Sequence, residues 1–183
     1  MTSALLSLRD LRVTFKTMNG EVQAVRGVDI DVAPGEMVGV VGESGSGKSV
    51  TFLGIMGLLP NSARITGSAV VDGIELVGAK NKVMRGVRGK KIAMIFQDPL
   101  SALNPVYRVG DQIVEMIQSH QDLSKDAASK RAVELLDIVG IPQPKDRARK
   151  YPHEFSGGMR QRVMIAMAIS NDPDVLIADE PTT

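Results

Sequence analysis

A chain of 183 residues can bury one sizeable hydrophobic core, and its net charge of +1 with 3% aromatic residues gives neither a basic surface nor a stacking platform, so no nucleic-acid partner is predicted. The absence of cysteine excludes disulfides, thiolate metal sites and cysteine nucleophiles. Neither a signal peptide nor an apolar run of the roughly 18 to 20 residues that a membrane-spanning helix needs is present, so we expect any membrane association to occur through a partner.

The N-terminal region predicts an antiparallel hairpin. Apolar and polar residues alternate over residues 3–15 and again over residues 22–32, which is the period-two pattern of half-buried strands. Asn19-Gly20 between them is a hairpin turn signal. Pro34-Gly35 predicts a second turn, and residues 36–41 predict a buried strand after it.

Residues 42–49, GESGSGKS, match the phosphate-binding pattern G-x-x-x-x-G-K-[ST]. The glycines let the backbone wrap with its N–H groups inward, and a helix predicted over residues 50–59 adds its N-terminus to this anion site. Lys48 can reach the β- and γ-phosphates, and the Ser49 hydroxyl can ligate Mg²⁺. A simple Gly/Ser-rich turn is the alternative, which the flanking strand and helix patterns disfavour.

The middle of the chain changes from strand to helix patterns. Residues 67–77 predict a short hairpin around Asp72-Gly73, and residues 92–96 predict a buried strand. Helical spacing over residues 109–120 and 125–139 predicts two amphipathic helices. Because no strand separates them, they indicate a helical subdomain inserted into an α/β core.

The ends of the second predicted helix carry local signals, and a loop is predicted after it. Ser124 is a candidate N-cap, and Gly140 with Pro142 is a stop signal. The proline-rich, basic segment 142–149 is interpreted as a solvated loop.

The last part of the chain combines a second glycine-rich helix start with an acidic strand end. Ser156-Gly157-Gly158 precedes a helix predicted over residues 159–170, where exposed N–H groups favour phosphate, although the pattern by itself is usually only a cap. Residues 175–178 predict a strand that runs into Asp179-Glu180. We interpret Asp179 as a second Mg²⁺ ligand beside Ser49 and Glu180 as the base for an attacking water, with a solvated turn as the alternative.

In this order, these motifs resemble the ATP-binding cassette (ABC) transporter ATPases, and the resemblance covers nearly the whole chain. Residues 42–49 match the Walker A loop, and Gln97 matches the Q-loop. Residues 155–161 match the ABC signature, and residues 175–180 match the Walker B strand with its catalytic glutamate. Segments 43–49 and 96–105 are similar to the dipeptide, oligopeptide and nickel importer branch.

The resemblance implies a fold and a set of partners. The expected fold is α/β: a P-loop NTPase core, with a mixed sheet and an antiparallel β-subdomain, in residues 1–98 and 159–183, and a helical subdomain in residues 99–158. A second nucleotide-binding subunit, identical or paralogous, is expected to pair head to tail and enclose two ATP molecules with Mg²⁺. Membrane-spanning permease subunits are expected to hold the protein peripherally at the cytoplasmic face of the inner membrane.

The implied function is to couple ATP binding and hydrolysis to the import of a small substrate, with peptides expected from the branch. The alternative is a non-transport ABC ATPase of translation or DNA maintenance. A third interpretation is a module that only binds or assembles.

The resemblance also assigns roles to residues. Glu180 and Gln97 are expected to be catalytic, and Ser49, Gln97 and Asp179 to hold Mg²⁺. The residues expected to contact the chain's own nucleotide are Phe15, Gly42, Glu43, Ser44, Gly45, Ser46, Gly47, Lys48, Ser49 and Val50. Those expected to meet the partner's nucleotide are Ser156, Gly157, Gly158 and Met159. Phe15 is the candidate for stacking on adenine, and a role as a strand-end core residue is nearly as consistent with its position.

Some features depart from the family pattern. Phe155 and Met159 stand where Leu and Gln are common, and Val50 stands where Thr is common; only the Ser-Gly-Gly between the first two needs to face phosphate. The sequence ends at Thr183, before the family's D-loop, switch histidine and closing strands. We therefore expect this segment by itself to bind nucleotide and to hydrolyse it weakly or not at all. Alternatively, the sequence is a portion of a longer chain.

Overall fold

The computed structural model describes residues 4–18 and 20–181, and it divides into two compact units, Met1–Lys91 and Ile92–Thr183. No helix in the described ranges combines the length and the apolar character that crossing a membrane requires. The predicted subdomain boundaries at residues 99 and 158 are not tested by this division and stay predictions.

The first unit is built on a four-stranded antiparallel sheet with the order β2-β1-β3-β4. The strands are β1 (Leu6–Thr17), β2 (Gly20–Val32), β3 (Ala63–Val71) and β4 (Ile74–Glu75). The β1–β2 hairpin and the Asp72-Gly73 turn between β3 and β4 confirm two predictions. β3 begins at Ala63 rather than at residue 67, and Asn19 of the predicted hairpin turn lies outside the described residues.

A bulge in β1 sets which side chains face the core of this unit. The pairing register shifts between Leu8 and Leu11, where Asp10 has a φ of 42°. Leu8 and Leu11 are therefore both fully buried despite their odd spacing. Gly67 of β3 faces the bulge, and a Cβ at this position would lie 2.4 Å from the Asp10 carbonyl oxygen, so only glycine fits.

The strand predicted over residues 36–41 is absent from the described structure, and that prediction is wrong. Pro34-Gly35 form the expected turn, but the residues after it make no ladder, and the side chains of Met37 and Val41 are 97% and 93% exposed. A β-like sequence shows only that a segment fits a pleated surface, whereas a strand also needs a hydrogen-bonded neighbour. Sequence patterning cannot supply that neighbour.

Two helices complete the first unit. Helix α1 (Lys48–Ile55) begins at the phosphate loop, as predicted, and ends at Ile55 rather than at residue 59. Helix α2 (Asn81–Val87) was not predicted. It is followed by Arg88, whose guanidinium donates to the carbonyl oxygens of Met56 and Gly57 at 2.6 and 2.8 Å and so fixes the turn after α1.

The second unit combines a two-stranded parallel sheet with a helical cluster. The strands are β5 (Ile92–Ile95) and β6 (Val175–Ala178), both at predicted positions. The helices are α3 (Pro99–Ala102), α4 (Val109–Gln118), α5 (Lys125–Ile138), α6 (Pro144–Arg147) and α7 (Gly157–Ala168). Helices α4, α5 and α7 confirm the helical predictions, whereas α6 falls in the segment predicted to be a loop.

The helices of the second unit share one hydrophobic core. Its apolar side chains come from the inward faces of α4, α5 and α7 and include Ile113, Ile117, Leu135, Leu136 and Val163. The predicted N-cap at Ser124 is confirmed, because its Oγ accepts from the Ala127 N–H at 3.3 Å. Oγ of Ser156 likewise caps α7 by accepting from the Met159 N–H at 3.3 Å. The start of α7 is therefore fixed both by packing and by its own cap.

Candidate nucleotide and catalytic sites

The phosphate loop of the first unit depends on two glycines in the left-handed region. Gly45 and Gly47 have φ values of 80° and 96°. A Cβ on Gly47 would lie 2.7 Å from the carbonyl oxygen of Ala24, so no other residue fits there. The backbone N–H and the hydroxyl of Thr51 both donate to the Gly47 carbonyl, at 2.9 and 2.8 Å, which fastens the loop to the first turn of α1.

Lys48 is held across the loop by its own backbone. Its Nζ donates to the carbonyl oxygens of Gly42 and Glu43 at 2.7 and 2.9 Å. An ammonium group has three N–H donors, so these two bonds orient the charge and leave a third donor for an anion. The positive charge is thus pre-organised at the mouth of the loop.

A cavity of about 680 Å³ lies between the loop and strand β2. Its lining combines residues of strand β2, of the loop with the two residues before it, and of helix α1: Val22, Gln23, Ala24, Val25, Arg26, Val28, Ile30, Val40, Val41, Gly42, Gly45, Ser46, Gly47, Lys48, Thr51 and Phe52. Its ionisable residues, Arg26 and Lys48, are both cations. The size is typical of a small-molecule site, and the chemistry suits a ligand with an apolar body and an anionic end.

Several residues predicted to contact nucleotide lie near this cavity without lining it. Glu43, Ser44, Ser49 and Val50 belong to the loop and the first turn of α1. Phe15 is half-buried and pairs in register with Val22, which does line the cavity. The stacking role of Phe15 stays a prediction.

The strand ends of the second unit bring the two candidate catalytic residues together. Strands β5 and β6 are parallel, so the residues that follow them emerge at the same edge of the sheet. There, Nε2 of Gln97 donates to Oε2 of Glu180 at 2.7 Å. The Asp179 N–H donates to the carbonyl of Ile95 at 3.0 Å, which extends the pairing one step past the strand.

Sequence reasoning missed one residue at this edge. Nε2 of Gln161, in helix α7, donates to the carbonyl oxygen of Pro181, directly after Glu180. The only signal in the sequence was its position in the signature segment, and that position does not reveal a contact with a residue twenty positions away.

The start of helix α7 presents its glycines to solvent. A Cβ on Gly157 or Gly158 would meet no atom within 4 Å, and neither residue has a positive φ. Nothing in the described part of this chain therefore requires glycine at either position. Phe155, by contrast, is 3% exposed in the core, with the guanidinium of Arg147 over its ring at 5.8 Å, and Met159 packs against the same core.

The residues predicted to hold Mg²⁺ offer the oxygen donors that this ion prefers. They are the Ser49 hydroxyl in the first unit and, in the second, the Asp179 carboxylate and the Gln97 amide. Because Nε2 of Gln97 is bonded to Glu180, its Oε1 remains as the oxygen for a metal. Each of these oxygens is of a type that Mg²⁺ accepts as a ligand, although the described residues contain no cluster of three or more histidine or carboxylate side chains that could hold a metal by themselves.

Comparisons with known proteins agree with these motifs. A family model described as "ABC transporter" matches residues 25–183. The oligopeptide transport ATP-binding protein OppD of Mycobacterium tuberculosis is 58% identical over 182 residues, covering 99% of this chain and 30% of that protein. The dipeptide transport ATP-binding protein DppD of Bacillus subtilis is 54% identical over 181 residues, covering 98% of this chain and 54% of that protein. The chain thus spans only part of the length of these relatives.

Solved structures give the same fold. A dimeric ATP-binding cassette in a post-hydrolysis state, bound to ADP and Pi, superposes with a TM-score of 0.85 at 29% identity, covering 97% of this chain and 74% of that one. The protein cbiO1 of Clostridium perfringens, part of the ABC transporter complex cbiONQ, superposes with a TM-score of 0.73 at 27% identity, covering 98% and 66%. The mixed α/β P-loop fold expected from the sequence is thereby confirmed.

Proposed function

Because the chain belongs to the ABC transporter family, we propose that it forms the ATP-binding part of an importer subunit that couples ATP hydrolysis to the uptake of peptides. The observation that carries this proposal is the phosphate loop, with Lys48 pre-oriented beside a cavity whose ionisable residues are cations. Peptides are the proposed substrate because the similar proteins are named for oligopeptide and dipeptide transport.

The first step is the capture of ATP by the phosphate loop. The backbone N–H groups of residues 42–49 and the start of α1 bind the phosphates, and the third N–H of Lys48 meets the β- and γ-phosphate oxygens. The apolar lining beside the loop, including Val22 and Val25, receives the uncharged part of the nucleotide. Phe15, next to Val22 in the sheet, is the proposed partner of the adenine face.

Hydrolysis is assigned to the residues at the sheet edge of the second unit. Glu180 accepts a proton from the attacking water, and Gln97 orients both the water and the Glu180 carboxylate. Ser49, Gln97 and Asp179 are the proposed Mg²⁺ ligands, on the strength of the motifs that they occupy. When bound, Mg²⁺ neutralises charge that develops on the phosphate oxygens.

The start of helix α7 is proposed to bind the nucleotide of a second ATP-binding subunit in a head-to-tail dimer. Glycine in a helix costs about 0.5 to 1 kcal/mol relative to alanine, and the described chain gives no reason for it at Gly157 or Gly158. A close approach from outside the chain supplies that reason. Oγ of Ser156 accepts the Met159 N–H as a cap, and its own O–H proton is left to donate to phosphate.

The remaining proposals concern the complete transporter. The helical subdomain, residues 99–158, docks on membrane-spanning permease subunits, and the protein lies peripherally at the cytoplasmic face of the inner membrane. The support for these proposals is membership of the family.

The proposal is tested with the full-length protein, with and without its permease in lipid vesicles. We expect the permease to stimulate ATP hydrolysis and the full system to accumulate peptide. Stimulation by ribosomes or by DNA, with none by the permease, would instead favour a non-transport ATPase and reject the importer.

A further inference from the structure

Glu180 stands in a backbone conformation that its own side chain does not favour. Its φ of 47° lies in the left-handed region, where a side chain with a Cβ crowds the backbone. The other described non-glycine residues with a positive φ are Asp10, Asp72, Asp172 and Gln143. Most of them are aspartates, whose short side chains can bond to the local backbone. A glutamate in this conformation has to be fixed by its surroundings.

Three hydrogen bonds fix the segment around Glu180. The Asp179 N–H is bonded to the Ile95 carbonyl before it, and Gln97 holds its carboxylate. The third bond, from Gln161 to the Pro181 carbonyl, holds the chain after it. The first two bonds come from β5 and the residue that follows it closely, whereas the third comes from a different element, helix α7.

Helix α7 holds the Gln161 amide in a fixed position. Val163 and Met164 of this helix are buried at 0% and 2% exposure, so its position is fixed by packing. Its first turn is fixed by the Ser156 cap and by a 3.0 Å hydrogen bond from Nε of Arg160 to the Phe155 carbonyl. The amide of Gln161, one turn further along, is therefore presented to Pro181 in a defined place.

We propose that Gln161 is a positioning residue for Glu180. Its amide holds the Pro181 carbonyl, keeps Glu180 in the left-handed conformation and so keeps the carboxylate where Gln97 meets it. This inference rests on the proposed function, since it assigns Gln161 a role in ATP hydrolysis without any contact with nucleotide. It also links helix α7, which Ser156 caps, to Glu180, the proposed catalytic base of the same chain.

The test uses the full-length protein with its permease and the substitution Gln161→Met, which keeps the length and helix propensity of the side chain and removes the amide donor. We expect kcat to fall by about 10- to 100-fold, because a misplacement of about 1 Å can cost that much. KM for ATP should stay within about twofold, because binding of the substrate is not altered. The matched control is Arg162→Met in the same helix, which removes a side-chain hydrogen bond to the Gly140 carbonyl at 2.7 Å and should leave kcat unchanged.

A double-mutant cycle with Glu180→Gln separates positioning from general destabilisation. If Gln161 acts only through Glu180, adding Gln161→Met should not lower the residual rate of the Glu180→Gln variant any further. Gln161→Glu, of the same size and without a side-chain N–H when ionised, should reproduce the kcat loss if the Met variant folds poorly. Multiplicative losses in the double variant, or full kcat in both Gln161 variants, would overturn the inference and leave the proposed function standing. Absence of ATP hydrolysis in the unaltered protein would overturn both.

Discussion

The two polar atoms of the Gln97 amide can serve different partners. The Gln97 nitrogen holds the candidate base at 2.7 Å, while its oxygen stays available to Mg²⁺ or to water. A glutamate at this position would repel the Glu180 carboxylate, and a shorter asparagine would not span the same distance. The amide chemistry of Gln97 is therefore matched to the geometry of the strand ends.

At Glu180, we predict that Glu180→Gln leaves ATP binding intact and slows hydrolysis by about 10² to 10⁴, because the amide can still accept the bond from Gln97 but cannot take a proton. Nucleotide affinity and single-turnover hydrolysis of the full-length protein measure the two effects separately. Ordinary turnover in this variant would exclude Glu180 as the base.

At Lys48, we predict that Lys48→Ala weakens ATP binding by about 10- to 100-fold, the value of one charge-assisted hydrogen bond. The loss also removes the two bonds that span the loop. Calorimetric titration with Mg-ATP measures the affinity, and Lys82→Ala, at an exposed lysine of helix α2, is the control. Equal affinities of the Lys48 and Lys82 variants would refute the role of Lys48.

At the scale of elements, the glycines at the start of helix α7 make it less stable than alanines would. We predict that Gly158→Ala raises the free energy of unfolding by about 0.4 to 1 kcal/mol, because a Cβ meets nothing in this chain and the unfolded state loses freedom. The same methyl should lower dimer-dependent hydrolysis by about 10²-fold, the usual cost of one misplaced donor.

Gly86→Ala in helix α2 is the matched control, because a Cβ there also meets nothing within 4 Å. It should raise stability in urea unfolding without changing hydrolysis. Equal turnover in the two glycine variants would contradict the proposed contact with the partner's nucleotide.

The turn before helix α7 carries a pH-dependent contact. The pKa of Glu154 is lowered chiefly by the Tyr151 N–H, which donates to Oε2 of Glu154 at 2.8 Å. Lys150, whose Nζ lies 3.0 Å from Oε1 of Glu154, lowers it further. The ionised Glu154 carboxylate therefore stabilises the folded chain fully above the unfolded pKa of about 4.3. This stabilisation is lost as the pH falls through the lower folded pKa.

We predict from this that the urea midpoint of the unaltered chain exceeds that of Glu154→Gln at pH 7 and that the difference shrinks as the pH is lowered below about 4.3. Chemical unfolding at a series of pH values measures it. A difference that grows on acidification would have the wrong sign for a carboxylate with a lowered pKa.

At the scale of the whole molecule, ligand binding should stabilise residues 1–183. We predict that Mg-ATP at 100 times its dissociation constant raises the free energy of unfolding by about 2.7 kcal/mol if only the folded chain binds it. Thermal unfolding with and without Mg-ATP measures the shift. No shift at that concentration would mean that this segment does not hold nucleotide by itself.

Local chemistry made much of this molecule predictable from its sequence. The phosphate loop, the caps at Ser124 and Ser156 and the turns at Pro34-Gly35 and Asp72-Gly73 depend on residues that are neighbours in the chain, so residue type and spacing were sufficient. The strand over residues 36–41 was wrong because pairing depends on a partner that its own residues do not specify.

The sequence by itself determined which groups could bind phosphate, ligate Mg²⁺ and accept a proton, because those capacities belong to the side chains. Only the tertiary structure decided which of them meet. Gln97 and Glu180 are 83 residues apart and touch because β5 and β6 are parallel, and Gln161 reaches Pro181 because helix α7 packs in the core beside that sheet edge. Contacts at such separations are set by packing and strand pairing over the whole unit, which no local pattern encodes.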